Sequence, residues 1–316
     1  MSTGIEWVAT HHPDGRVTRG DTWNPVTGCT AVSPGCDHCY AEHLHTQRHL
    51  ANLRYADNSP GRLAMMRAAG DRAIPQPACY DVPFTVVTEH PDRLLQPLKW
   101  QTPRKIFACS MADLFHAQVT RQFQVKVWAV SACSVHTVKI LTKRPNLAAR
   151  FTRQSEEAVY GAINQLHDEG AFANMPATGD RPAWDVPLFW PPPNIWLGTS
   201  VEGQAQKWRI AELRKADAAI RFISFEPLLE HLGTLDLAGI SWAIIGGESG
   251  PGARPFDLEW ARDIIRQCDA QGVAVFVKQL GAHPVTGWAT RVSLRQPEGR
   301  NMAEWPADLQ RREYPK

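Results

Sequence analysis

Trp242-Ala243-Ile244-Ile245-Gly246-Gly247-Glu248, then Asp257, then Leu258–Gln271, Gly272 and Val273-Ala274-Val275-Phe276-Val277-Lys278 form the stretch on which the fold turns. A short apolar run ends in glycines, an amphipathic run follows, and a second β-branched run closes the unit. Asp257 stands where a helix N-cap belongs and Gly272 where a C′ glycine belongs, so the middle run reads as a helix between two strands. The same rhythm recurs upstream. Lys105–Ser110, Val138–Thr142, Ile195–Ser200 and Ile220–Phe225 read as strands, and a shorter one lies near Thr22–Asn24. Between them, Thr120–Cys133 carries Phe123, Val127 and Val130 at helical spacing, and Gln206–Ala216 follows the same rule. Strands alternating with helices predict βαβ units and a parallel sheet, hence an α/β fold.

The 316 residues suffice for one large core, and 43% hydrophobic with 21% charged residues places the chain among globular proteins. A net charge of +2 means that any nucleic-acid partner must be met by local clustering. No long apolar run and no charged-then-apolar N-terminus is present, so the reading is a cytoplasmic protein without a membrane span. Two stretches interrupt the rhythm, near 58–83 and near 172–193, and read as insertions. Residues 1–281 are expected to form one α/β barrel domain, with 282–316 a C-terminal extension packed on it.

Three of the seven cysteines, Cys29, Cys36 and Cys39, crowd into one loop after the first strand. In a reducing compartment such crowding points to metal rather than to disulfides. Three thiolates supply three of the four irons of a [4Fe–4S] cluster and leave one iron open. Gly28, Pro34 and Gly35 let the backbone wrap tightly. A zinc site of Cys3His type, completed by His38 or His43, is the rival. Cys109, Cys133 and Cys268 read as buried small hydrophobes.

The signatures Trp23-Asn24-Pro25 with the cysteine loop, Ser110-Met111-Ala112-Asp113-Leu114-Phe115 and Leu141-Thr142-Lys143-Arg144-Pro145 occur together. They continue as Trp196–Glu202, Ser224-Phe225-Glu226-Pro227-Leu228-Leu229, Gly246–Pro251 and Lys278-Gln279. With these the chain resembles the phage-associated radical-SAM-like proteins, a three-cysteine-motif domain of unknown function. The resemblance implies a partial TIM-like (β/α) barrel of radical-SAM type with insertions, a [4Fe–4S] cluster, and S-adenosylmethionine on the open iron. It also implies a cofactor site on His38, Ser110, Ser200, Glu226, Gly246, Gly247 and Glu248, with His38 beside the adenine. Two features depart from the usual radical-SAM pattern. The cysteines are separated by six and then two residues, and Gly246-Gly247-Glu248 follows strand six where the pattern has it after strand two.

Function in parallel barrels gathers at the C-terminal ends of strands. Each strand here ends in polar residues: Ser110 and Asp113, Thr142 to Arg144, Thr199 to Glu202, Ser224 and Glu226, Glu248 and Ser249, Lys278 and Gln279. Some, such as Ser200 or Ser249, serve equally well as helix N-caps. Glu226 and Glu248 suit an ammonium group or ribose hydroxyls. Lys278, flanked by apolar residues, needs a carboxylate partner, with Glu226 or Glu248 in reach by strand order; Lys278 and Glu226 are the expected catalytic pair, and a structural ion pair is the plainer alternative. Basic residues recur at Arg48, Arg54, Arg62, Arg67 and Arg72, and again at Lys139, Lys143, Arg144, Arg150 and Arg153. Arg62, Arg67, Arg72, Lys143 and Arg144 are expected to meet DNA or RNA. The expectation is a radical S-adenosylmethionine enzyme modifying or repairing nucleic acid and fed by an electron donor. The alternative is an iron–sulfur module that binds nucleic acid or protein with no turnover.

Overall fold

The computed structural model describes residues 3–11, 16–173, 189–250, 252–287 and 290–315. Seven parallel strands carry the fold: β1 (Asp21–Trp23), β2 (Lys105–Ala108), β3 (Thr137–Thr142), β4 (Ile195–Ser200), β5 (Ile220–Phe225), β6 (Trp242–Gly246) and β7 (Ala274–Gln279). They lie side by side in chain order, and β1 and β7 are the two ends of an open sheet. The sheet curls into a half-barrel, a partial TIM-like α/β fold. Helices fill the connections except that between β5 and β6: α1 (Tyr40–Tyr55), α2 (Pro60–Ala68), α3 (Arg121–Cys133), α4 (Pro145–Gln154), α5 (Glu156–Asp168), α6 (Trp208–Arg214) and α7 (Leu258–Gln271). The α7 boundaries follow from its caps: Asp257 accepts the Glu259 amide at 2.9 Å, and Gly272 takes φ 70°.

The strands are apolar on both faces, as a covered parallel sheet requires. Ile106, Val138, Ile140, Leu197, Ile223, Ala243 and Val275 belong to the large core that includes the helices. Phe107, Phe222, Trp242, Ile244 and Phe276 form a separate inner cluster, filled by Trp7 and Val8 of the N-terminal segment. Lys139 corrects its place in the second basic stretch. Alternation along β3 turns it inward between Val138 and Ile140, where it is fully buried. Its Nζ donates to the Trp7 carbonyl at 2.6 Å and lies 4.3 Å from the Trp242 ring centre and 4.7 Å from that of Trp196.

The stretch near 58–83 is an ordered insertion. It holds α2 and packs Leu63 and Ile74 against Ala56, while Arg67 and Asn52 both bind Asp81. Of the stretch near 172–193, residues 174–188 lie outside the described residues. In the extension, Trp288 also lies outside them, whereas Trp305 and Leu309 enter the main core. The Arg311 carbonyl accepts the Val277 amide and the Glu313 amide bonds the Val275 carbonyl, both at 2.8 Å, so the tail covers the exposed edge of β7. No helix among the described residues is long and apolar enough to cross a membrane.

Candidate functional site

The cysteine loop leaves the C-terminal end of β1, and its entry is fixed by neighbouring strand ends. Trp23 is buried and donates its indole N–H to the Arg93 carbonyl at 2.9 Å. Asn24 Oδ1 accepts from the Met111 amide at 2.9 Å and the Ser110 hydroxyl at 3.2 Å, which ties β1 to the end of β2. Strand β2 stops earlier than its apolar pattern suggests, because Cys109 adopts φ 58°, a conformation costing a non-glycine residue about 1–3 kcal/mol. That kink delivers the Met111 carbonyl to the Gly28 amide at 3.0 Å. Gly28 itself has φ 88°, and a Cβ there would strike the Val86 carbonyl. Only glycine fits, and the next residue is Cys29.

Cys29, Cys36 and Cys39 are free thiols and partly exposed, whereas Cys79, Cys109, Cys133 and Cys268 are free and buried. Burial raises the Cys29 pKa and the nearby Asp113 carboxylate adds to that, against the Arg144 guanidinium, whose Nη1 is 3.8 Å from Sγ. Burial likewise raises Cys39, opposed by amides at the start of α1 and by Lys143. Both are thiols in the metal-free protein; a coordinating cation displaces the proton.

Around the loop stand four ion-pair groups, gathered at the strand ends. After β2 and β3, buried Asp113 accepts from the Thr142 hydroxyl at 2.7 Å, the Lys143 amide at 3.1 Å and Arg144 Nη1 at 2.9 Å. After β4, fully buried Glu202 is bound by Lys143, by Arg209 Nη1 at 2.9 Å and by the Ser33 hydroxyl at 2.9 Å. Burial alone would raise the Glu202 carboxyl, but Lys143 and Arg209 outweigh it and hold the pKa below the usual range. After β6, Glu248 is bound by His38 Nδ1 at 3.1 Å, by the Arg254 amide at 2.8 Å and by the Arg254 guanidinium. Burial pulls that carboxyl up, and the Arg254 and His38 hydrogen bonds bring it below its ordinary value. Arg254 also reaches the Pro34 carbonyl at 2.8 Å and Asp37 at 3.3 Å. After β5, Glu226 pairs with Lys278 of β7, and its Oε1 also accepts from Gln279 at 3.3 Å.

The site residues expected from sequence thus divide. His38 and Glu248 meet beside the cysteine loop, and Lys278 pairs with Glu226 rather than with Glu248. Ser110 is turned onto Asn24, and the Ser200 carbonyl accepts from Arg209 at 3.0 Å. Gly247 is accounted for by packing, since a Cβ would come within 2.9 Å of the Leu280 carbonyl and of Phe256, and a Cβ at Gly246 would make ordinary contacts. Of the residues expected to meet nucleic acid, Arg62 pairs with Asp57, Arg67 with Asp81, Lys143 with Glu202 and Arg144 with Asp113. Arg72 alone of the five is exposed with no carboxylate in ion-pair reach among the described residues.

Arg254, Arg209 and Tyr40 were not legible as site residues. Tyr40 follows Cys39 directly, keeps its ring exposed and donates its hydroxyl to the Ser110 carbonyl. Adjacency to the last cysteine was the available signal for Tyr40; none marks the two arginines.

Among the described residues, no group of three or more His, Cys, Asp or Glu is gathered as a site for one metal ion. The imidazoles of the zinc reading are engaged elsewhere, His38 Nδ1 on Glu248 and His43 Nε2 with Gln47 at 2.9 Å. Free thiols, with neighbouring carboxylates committed to cations, suit a cluster held by sulfur alone.

Fold and site define an open α/β half-barrel with a three-cysteine loop at the C-terminal end of its sheet. The chain belongs to the family described as "Protein of unknown function (DUF5131)", whose model matches residues 2–306. No curated protein and no solved structure matches it.

Proposed function

We propose that the chain is an iron–sulfur protein of radical-SAM type, with a [4Fe–4S] cluster on Cys29, Cys36 and Cys39. The observation that carries the reading is the placement of three free, partly exposed thiols on the loop leaving β1, at the functional end of a parallel half-barrel. When bound, such a cluster supplies one electron and an open iron for S-adenosylmethionine. The chain's own residues do the rest. Tyr40 offers an exposed ring at the rim, able to stack on a base. Lys278 and Glu226 hold a paired ammonium and carboxylate at the same strand ends, able to orient a polar substrate or exchange a proton with it.

A nucleic-acid substrate is part of the proposal, supported by exposed Arg54, Arg72, Arg150 and Arg153, none with a carboxylate in ion-pair reach among the described residues. A second reading, a cluster-bearing binding module without turnover, is favoured by Glu248. Arg254 and His38 occupy its acceptor positions, so an incoming ammonium would have to displace them.

Anaerobic reconstitution tests the proposal. The protein should turn brown and hold about four irons per chain. Alanine at Cys29, Cys36 or Cys39 should remove most of that iron, and alanine at Cys79 or Cys268 should leave it. Reduced protein should release deoxyadenosine from S-adenosylmethionine; iron without release selects the second reading. A colourless protein with stoichiometric zinc sinks both.

A further inference from the structure

We propose that Glu202 is a positioning residue that seats the Cys36 limb of the cysteine loop, and that Gly35 is glycine so that the loop can rest on it. The proposal rests on the reading of Cys29, Cys36 and Cys39 as cluster ligands, and adds a residue from another strand to that machinery.

Three observations converge. Glu202 Oε1 accepts from the Ser33 hydroxyl at 2.9 Å, across 169 residues of chain, and Ser33 Oγ stands 4.0 Å from Cys36 Sγ. A Cβ built on Gly35 would fall 2.5 Å from both Cγ and Oε1 of Glu202, closer than unlinked atoms can sit. Gly35 has no φ in the left-handed region, so steric closeness is what excludes a side chain there. Glu202 itself cannot swing away. It is fully buried, Arg209 grips its second oxygen, and Lys143 shares Oε1. Arg209 is in turn anchored to the Ser200 carbonyl at 3.0 Å. The carboxylate is therefore a rigid shelf at the end of β4, and the turn Pro34–Cys36 is laid against it. On its other flank the turn is held by Arg254 through the Pro34 carbonyl and Asp37.

The consequence is steric as well as electrostatic. Moving the shelf, or thickening the chain above it, moves Cys36. Neutralising the shelf leaves Lys143 and Arg209 with an uncompensated positive charge beside the thiols.

Two substitutions separate this role from a general contribution to stability. Gly35→Ala adds a methyl at a surface turn and leaves the buried pairs intact. Glu202→Asp shortens the shelf by one methylene while keeping its charge. In the iron-free full chain, Gly35→Ala should speed alkylation of Cys36 severalfold, read by peptide mass spectrometry, while Cys79 and Cys268 keep wild-type rates. In the reconstituted protein it should shorten iron retention and change the electron paramagnetic resonance spectrum of the reduced cluster. The double variant Gly35→Ala/Glu202→Asp should restore both readouts towards wild type, because the shorter side chain makes room for the added methyl. Wild-type Cys36 alkylation in Gly35→Ala, or no rescue by Glu202→Asp, overturns the proposal. If the wild type binds no iron, the cluster reading fails, and the alkylation series still decides whether Glu202 seats the loop.

Discussion

Replacing Lys139 by methionine should make the protein less dependent on pH, with a sign and a slope set by the inner cluster. The Lys139 ammonium has no carboxylate partner in the half-barrel among the described residues, only the Trp7 carbonyl and the faces of Trp7, Trp196, Trp242 and Tyr314. Contacts of that kind contribute about 0.5–2 kcal/mol for a desolvated cation. Burying an ion costs several kcal/mol even after relaxation, so the neutral amine wins. Burial accordingly holds the Lys139 pKa well below the usual lysine range, with repulsion from Lys105 as the lesser cause. In the unfolded chain it returns to about 10.4. Between those two values the unfolded state binds one more proton than the folded state, so stability rises with pH, by about 1.4 kcal/mol per unit at most. Below the folded pKa both states are protonated, and the full cost of the buried charge is present. Above about 10.4 both are neutral and the slope vanishes.

Lys139→Met keeps the length, suits the aromatic surroundings and removes this one titration. The Trp7 carbonyl loses its donor, a constant cost of about 1–3 kcal/mol that does not depend on pH. Urea denaturation of both proteins at several pH values from about 6 to 10 gives the difference curve, in which other titrations largely cancel. The wild type should gain on the variant steadily as pH rises through the window. Parallel curves would show that Lys139 keeps its proton in the folded protein, and would refute the reasoning.

Trp7→Ala should destabilise the fold by about 3–5 kcal/mol, because Trp7 is the plug of the inner cluster; its loss is read as a fall in the urea midpoint. Gly28→Ala should cost about 1–3 kcal/mol for the φ 88° position alone, and reconstituted protein should lose iron faster, since Cys29 follows directly. Paired Arg150→Glu and Arg153→Glu should weaken single-stranded oligonucleotide binding and flatten its dependence on salt by about one power of ten per tenfold salt for each phosphate no longer neutralised, with circular dichroism unchanged. The same reversal at Lys143 and Arg144 is a poorer probe, because it places new carboxylates against Glu202 and Asp113 and should unfold the mouth instead.

The strands β4 and β5 stand where their β-branched runs put them, and α7 begins and ends at the caps read from Asp257 and Gly272. In each case a local rule decides the matter: apolar pattern, N-cap chemistry or the left-handed glycine. Where local rules are silent, sequence pattern and structure part. The pattern of β2 runs on through Ser110, and nothing in a cysteine announces φ 58° at Cys109. Helices α4 and α5 meet at Ser155 without a glycine or proline between them, so no breaker marks Val159, Ile163 and Leu166 as a separate helix. The cysteine loop was legible because its three thiols lie within eleven residues. Its supports were not, because Arg254 and Asp37 are 217 residues apart and meet only through the curl of the sheet. The basic stretches show the same limit: charge along the chain does not reveal the carboxylates that folding brings opposite Arg62, Arg67, Lys143 and Arg144.

Those carboxylates bear on what the mouth can hold. Asp113, Glu202, Glu226 and Glu248 are each bound to at least one cation, which removes the hard oxygen donors from competition and leaves the thiols as the soft ones. The pairing is also uneven. Arg144 matches Asp113, Lys278 matches Glu226, and Arg254 faces both Glu248 and Asp37, but Lys143 and Arg209 share Glu202 alone. The five cations and five carboxylates balance in number, with the positive excess at Glu202 and the negative excess at Arg254, whose partner Asp37 follows Cys36 directly; Lys143 counters the burial that raises Cys39. A three-thiolate cluster is an anion that a partly buried loop could not hold unaided. On the proposed cluster reading, Arg144 beside Cys29 and Lys143 near Cys39 are the cations that would bear on it, and each is held by a carboxylate, Asp113 or Glu202.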